Sequence, residues 1–310
     1  MSVRASYRRM LDDRAPQREE TRLRLATVRL EGIETAAVVL DDGAVPVAAI
    51  NDSFGTGWPT ELIDLLTRDQ LEDLRRWLNG LSAAGLKEVS DRAVPFSRAP
   101  YAPLYRRPRK IWGIGLNYVE HAGDLDETAP SEEPASFMRP DTTIIGPEEE
   151  IRLPEQSQRV TAEAELGLVI GREAKNVSEE EAPSVVAGFT TVLDMTAEDI
   201  LRRNPRYLTR AKSFDTFFSF GPELVTTDEI GDVGALEVST VLNGEVRRRN
   251  TVSNMTFPPY WLVAFHSTIM RLLPGDVIST GTPGAVVIRE GDVAECRISG
   301  FRPLANPVVR

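Results

Sequence analysis

One stretch constrains the fold of this 310-residue chain more than any other: VTAEAELGLVIG, from Val160 to Gly171. Apolar and polar residues alternate strictly up to Leu166. A period of two fits a β-strand, because successive side chains on a strand point to opposite faces. Ala162, Ala164, Leu166 and Leu168 then share one apolar face, and Glu163 and Glu165 share the other. Two like charges side by side on a strand repel. A solvated strand face tolerates this, whereas a pocket does so only if a cation lies between them. A second β-prone run, GFTTVLD, ends in Asp194, just before the expected start of a helix. Three carboxylates with no Cys or His would make a hard oxygen site, suited to Mg²⁺ or Mn²⁺.

The rest of the chain supplies a setting for that strand. LATVRLEG, TAAVVLDDG and AVPVAAI, between about Arg24 and Ile50, read as short strands split by Gly and Asp-Gly turns. From Thr60 to Leu81 the pattern is helical, with Leu62, Leu65, Leu71, Leu74 and Leu78 on one periodicity. The stretch Arg92 to Pro108, rich in Pro, Ala and Arg, reads as a linker. Downstream, strands predominate, and ALEVSTVLNGEVRRR is a hairpin with Asn243-Gly244 as a type I′ turn. Ser178 and Glu181 form a capping box, Thr196 is the expected cap of AEDILRR, and a longer helix is expected from Pro259 to Leu272. The fold class is therefore α+β and β-rich. An N-terminal extension and small α+β domain with its linker would cover 1–105, and a catalytic domain 106–310.

Charge and cysteine content narrow the function classes. A net charge of -11 argues against nucleic-acid binding, which needs a basic face. It leaves open a small anionic substrate held by local cations. No apolar run approaches the ~20 residues of a membrane helix. Met1 to Arg24 lacks the apolar core of a signal peptide, and its acids Asp12, Asp13, Glu19 and Glu20 oppose a transit peptide, so it reads as a surface-lying extension. The single cysteine, Cys296, allows no internal disulfide and suits a reducing cytoplasm. With two histidines, His121 and His266, a metal site must rest on carboxylates; His266 reads as a structural residue of its helix and Cys296 as core. Of the 36 basic residues, four are lysines, Lys87, Lys110, Lys175 and Lys212, and the other 32 are arginines. Where arginine is the default cation, each lysine invites a reason.

At this point seven blocks fall into a known order: GLNYVEHAGD, EEPASFMRP, AEAELGLVIG, LDMTAED, RAKSFDTF, LNGEVRR and PGDVISTGTP. From about Lys110 to Pro307 the chain resembles the fumarylacetoacetate hydrolase family. The resemblance implies a mixed β-sheet or roll catalytic fold, a homodimer, Mg²⁺ or Mn²⁺, and a small 2-oxo acid as substrate. It implies Glu163, Glu165 and Asp194 as metal ligands, and Lys212 at the reacting substrate, where a compact ammonium approaches a single oxygen. His121, paired with Asp124, would activate water from a lid. The family usually has Glu at position 124, so the shorter Asp would need further closure, and Asp126 or Glu127 could serve instead. Arg139 stands where lysine is usual and would bind substrate. Gly281 and Thr282 would form the substrate-carboxylate loop, although its next glycine, Gly284, is shifted by one place. Asn254 replaces a usual acid.

The chemistry expected is hydrolysis of a C–C bond in an acylpyruvate or fumarylacetoacetate-like acid through an enolate. The same apparatus would also serve decarboxylation, isomerisation or hydration of related acids. A protein that binds a metal or ligand without catalysis is the reading of another class; the retained ligands, lysine and histidine oppose it.

Overall fold

The computed structural model describes residues 23–41, 43–118 and 132–310. Strands β1 (Arg24–Leu30), β2 (Ile33–Leu40) and β3 (Gly43–Pro46) form an antiparallel meander, followed by helices α1 (Val47–Phe54), α2 (Leu62–Thr67), α3 (Leu71–Gly80) and α4 (Ala83–Ser90) and by β4 (Val94–Pro95). Then come β5 (Ile111–Gly115), β6 (Ala135–Arg139), β7 (Ile144–Ile145), β8 (Ile151–Arg152) and β9 (Val160–Ile170). The one-turn helix α5 (Ala182–Val185) leads into β10 (Val186–Ala197), α6 (Glu198–Arg203), α7 (Leu208–Lys212) and β11 (Phe218–Thr226). The chain closes with β12 (Glu237–Leu242), β13 (Glu245–Thr251), α8 (Pro259–Ile269), β14 (Val277–Ser279), β15 (Val286–Ile288), β16 (Val293–Ile298) and β17 (Leu304–Val309).

Among the described residues these strands build a twelve-stranded mixed sheet, β4-β3-β2-β1-β11-β10-β9-β14-β5-β6, with β15 beside β9 and β7 beside β11. A second sheet runs β13-β12-β16-β17-β8. β1 pairs with β11, so the N-terminal strands continue the sheet across the 105/106 division. Residues 92–108, expected as a linker, lie along β1: Ala102 N donates to Thr27 O, Arg29 N to Pro100 O, and Ala99, Ala102 and Leu104 are fully buried.

β9 and β10 are covered on both faces, and every residue of both strands is buried. On one face Ala162, Ala164, Leu166, Leu168, Leu193 and Met195 pack against Val238, Ala294, Cys296 and Leu304 of the second sheet. On the other, Val169, Val192, Phe218 and Phe220 meet Val47, Ile50, Leu62, Leu65 and Leu74 from the helices. Each such fully buried Leu, Val or Phe side chain contributes about 1.5–3 kcal/mol. The N-terminal helices thus roof one end of the face on which Glu163 and Glu165 stand.

Local expectations met the structure unevenly. The hairpin turn has φ of 54° at Asn243 and 81° at Gly244, the left-handed pair a type I′ turn requires. AVPVAAI is strand only to Pro46, where the fixed proline φ starts α1. The helical region from Thr60 breaks at Asp69, which takes φ of 53°. The Ser178–Glu181 box is formed, Glu181 N donating to Ser178 Oγ at 3.2 Å and Ser178 N to Glu181 Oε2 at 2.9 Å. The long helix ends at Ile269. Thr196 does not cap α6: Ala197 holds that position, and the Thr196 hydroxyl turns to Glu163. No helix among the described residues is long and apolar enough to cross a membrane.

Candidate active site

In the antiparallel pairing of β9 and β10, Asp194 stands opposite Glu163 and Val192 opposite Glu165. Directly opposed residues share a face, so strand register alone puts the three carboxylates together. Their ligand atoms lie within 4.8 Å of one another, and all three residues are buried. β9 has a gap on its other edge. β14 pairs with it at 167–169 and β15 at 160–162, and the chain between them loops past Glu165. Gly281 in that loop takes φ of 100°, and a Cβ there would lie 2.8 Å from Asn117 Cβ. Glycine is therefore required for the close approach.

Each carboxylate is anchored by a different part of the chain. Glu165 Oε2 accepts from Ser279 Oγ and, at 2.9 Å, from Gly281 N. Glu163 Oε1 accepts from Thr196 Oγ1 at 2.9 Å and Thr161 Oγ1 at 3.4 Å, and its Oε2 from Lys212 Nζ at 2.9 Å. Asp194 Oδ1 lies 2.9 Å from Lys212 Nζ and accepts from Arg139 Nη2, whereas its Oδ2 is buried with no hydrogen-bond partner among the described residues. Lys212 Nζ also sits 4.8 Å from the centre of the Phe137 ring.

Among the described residues, three buried carboxylates face two buried cations, Arg139 and Lys212, which leaves a negative excess. Burial pushes the Glu165 carboxyl up to about 7, against the pull of Lys212 and Ser279. Burial also lowers Lys212, opposed by Glu163. Charge of one sign desolvated in this way is costly unless a further cation joins it. The donor set, all oxygen, and an Asp194 Oδ2 without a hydrogen-bond partner among the described residues fit a hard divalent ion.

The other expected residues fall as follows. Lys212, at the end of α7, reaches the cluster. Arg139 is also there, but its Nη1 donates to the Lys212 and Phe217 carbonyls and its Nη2 to Asp194 and the Met195 carbonyl. Gly281 contributes its N–H to Glu165, and the Thr282 hydroxyl bonds within its own loop to Gly284. His121 and Asp124 lie outside the described residues, as do Asp126 and Glu127. His266 is buried away from the cluster, with Nδ1 facing the Leu262 carbonyl at 2.8 Å and the ring 5.7 Å from Trp112. Ser279, Thr161, Thr196 and Asn117 were not foreseen. Asn117 is fully buried, donates to the Phe257 and Thr280 carbonyls and accepts from Phe257 N, which ties the end of β5 to the Gly281 loop. A polar amide or hydroxyl inside an apolar, glycine-broken run was the available signal.

Comparison with known proteins gives a consistent picture. The family profile described as fumarylacetoacetate (FAA) hydrolase C-terminal matches residues 110–309. The chain is 39% identical over 217 residues to the mitochondrial oxaloacetate tautomerase fahd2 of Xenopus laevis, covering 67% of this chain and 67% of that protein. The crystal structure of 5-carboxymethyl-2-hydroxymuconate delta-isomerase from Mycobacterium smegmatis matches with a TM-score of 0.70 and 30% identity, over 93% of this chain and 99% of that one. Maleylpyruvate hydrolase from Sphingobium sp. SYK-6, solved with manganese(II) and pyruvate, matches with a TM-score of 0.74 and 26% identity, over 92% and 98%.

Proposed function

The chain belongs to the fumarylacetoacetate hydrolase family, and on that premise we propose that it is a divalent-metal-dependent enzyme that cleaves a C–C bond in a small 2-oxo acid of the acylpyruvate type. The observation that carries the reading is the buried cluster of Glu163, Glu165 and Asp194, with its negative excess and an Asp194 Oδ2 that has no partner among the described residues. Those three side chains would hold Mg²⁺ or Mn²⁺. When bound, the ion supplies a Lewis acid for the carboxylate and 2-oxygen of the substrate, a contribution of several kcal/mol.

The remaining work falls to the chain itself. Lys212 keeps its ammonium between Glu163 and Asp194, where it would meet negative charge developing on the substrate. His121, oriented by Asp124, would take a proton from water, and the resulting hydroxide would attack the distant carbonyl carbon. The C3–C4 bond then breaks, its electron pair forming the enolate of the shorter 2-oxo acid, which is protonated at C3 and released beside a carboxylic acid. General-base help of this kind is worth about 10²–10⁴-fold. Gly281 and Thr282 would shape the substrate end of the site. The single cysteine supports a reducing compartment such as the cytoplasm, and a homodimer is the assembly we expect.

A second reading is favoured by the 39% identity to an oxaloacetate tautomerase. Keto–enol exchange would use the same carboxylates and Lys212 and needs only a proton taken from C3 and one delivered to the 2-oxygen, or the reverse. Two assays separate the readings: release of pyruvate from an acylpyruvate, and decay of the enol absorbance of oxaloacetate, each with Mg²⁺ or Mn²⁺ and with excess chelator. Pyruvate release that stops in chelator is expected. Enol decay alone would replace hydrolysis with tautomerisation, and neither activity in protein that binds the metal would leave decarboxylation, hydration or isomerisation of a related acid, or binding without catalysis.

A further inference from the structure

Arg139 lies in the cluster at a position where lysine is usual for the family, and its surroundings differ from those of a substrate-binding cation. It is 4% exposed, and its guanidinium sits 5.5 Å and 5.7 Å from the ring centres of Phe137 and Phe218. Both terminal nitrogens are spent on the protein. Nη1 donates to the carbonyls of Lys212 and Phe217, the latter at 3.0 Å, and Nη2 to Asp194 Oδ1 and, at 3.0 Å, to the Met195 carbonyl. A planar fork can serve acceptors on α7, β10 and the entry to β11 at once; an ammonium on a flexible stem presents its donors from one point and cannot.

Two cations crowd Asp194 Oδ1, and among the described residues none hydrogen-bonds to Oδ2. We infer that Arg139 is a positioning residue: by engaging Asp194 Oδ1 it makes the carboxylate a one-oxygen ligand through Oδ2, and by holding the Lys212 carbonyl it fixes the ammonium against the same carboxylate. This rests on the metal-dependent reading above and replaces the substrate-binding role expected of Arg139.

The test is Mn²⁺ titration of substrate-free wild type and R139K, followed by electron paramagnetic resonance. R139K keeps the charge and loses the fork. It should bind Mn²⁺ about 10-fold or more weakly, within the range typical of lost partners behind metal ligands, and show an altered bound-Mn²⁺ line shape. Its KM at saturating Mn²⁺ should stay near the wild-type value. Unchanged Mn²⁺ affinity with a raised KM would overturn the inference and return Arg139 to the substrate. Unchanged affinity with a lower melting temperature would overturn it in favour of a purely structural role. Wild type that binds no Mn²⁺ would overturn the metal reading, and this inference with it. If R139K does not fold, the wild-type crystal structure with Mn²⁺ decides. Asp194 meeting the ion through Oδ2 alone, with Oδ1 on Arg139, supports the inference; both oxygens on the ion overturn it.

Discussion

Two buried charge clusters in this molecule invite comparison. One surrounds Glu223 on β11, a carboxylate only 2% exposed. Tyr101 Oη donates to its Oε1 at 2.8 Å, Arg302 Nε donates to the same oxygen, and Arg24 lies 3.4 Å from Oε2 while holding Glu229 at 2.8 Å. A cavity of about 900 Å³ adjoins it, bordered by Arg24, Asp41, Glu223 and Arg302. The other cluster is that of Glu163, Glu165 and Asp194. By the burial of its carboxylate and the space beside it, Glu223 is also a candidate. The difference lies in the balance of charge. At Glu223 and Glu229 two acids meet two arginines, and both Glu223 oxygens have donors. At Asp194, among the described residues, three acids meet two cations, and one oxygen has no donor. A balanced cluster holds strands together, and an unbalanced one is incomplete without a ligand, so charge excess and an atom short of a partner among the described residues separate the two.

The sharpest way to break this comparison is Asp194→Asn or Glu165→Gln. Either should weaken Mn²⁺ binding by 10²-fold or more and abolish metal-restored activity, because a ligand is lost outright; near-wild-type Mn²⁺ affinity by calorimetry would place the metal elsewhere. Next in size is His121→Ala, expected to lower kcat by about 10²-fold, the low end of a general-base contribution, with Mn²⁺ affinity intact. Equal hydrolysis rates in variant and wild type would remove His121 from the mechanism. Glu223→Gln tests the other side. It should cost about 1–3 kcal/mol of stability in urea unfolding, less than a fully buried pair because Arg24 and Arg302 remain 31% and 37% exposed. Mn²⁺ affinity and activity of the folded variant should not change; a fall in Mn²⁺ affinity would mean that the two clusters are coupled.

The smallest effect expected is a pH dependence at His266. Burial holds its imidazole below the ordinary histidine range, partly offset by the Leu262 carbonyl. Above about pH 6.5 both folded and unfolded chains carry it neutral, and the fold pays nothing. As pH falls below that value the unfolded chain binds the proton first, so stability drops with a slope of up to about 1.4 kcal/mol per pH unit until the folded value is reached. His266→Leu should flatten the urea-midpoint profile between pH 6.5 and 5.5. An unchanged slope would assign the acid sensitivity to other groups.

Some of this was legible in the order of residues. Period-two alternation set 160–166 as a strand and put Glu163 and Glu165 on one side of it, since both depend on neighbours two residues apart. Asn243-Gly244 set its hairpin, because the turn needs φ above zero at two adjacent residues and this pair accepts it. Lys212 stood out as one of four lysines among 36 basic residues. AVPVAAI misled because a short apolar run suits strand and helix alike, and the proline between decided where one gave way to the other.

Tertiary structure decided the rest, for reasons no local pattern contains. Whether the Glu163 face is wet or dry depends on what covers it, and the helices at 47–90 and the loop at 280–285 are distant in sequence. Whether Asp194 meets Glu163 depends on the register between β9 and β10, where a slip of one residue would turn it to the opposite face. The Thr196 hydroxyl had a helix end and a buried carboxylate to choose between, and the carboxylate, lacking water, was the more costly group to leave short of a donor. Arg139 reaches Asp194 across 55 positions of sequence. The alternation determined that a pair of acids would stand together; only the packed sheet determined that they would stand dry, joined by a third, with too few cations among the described residues to balance them.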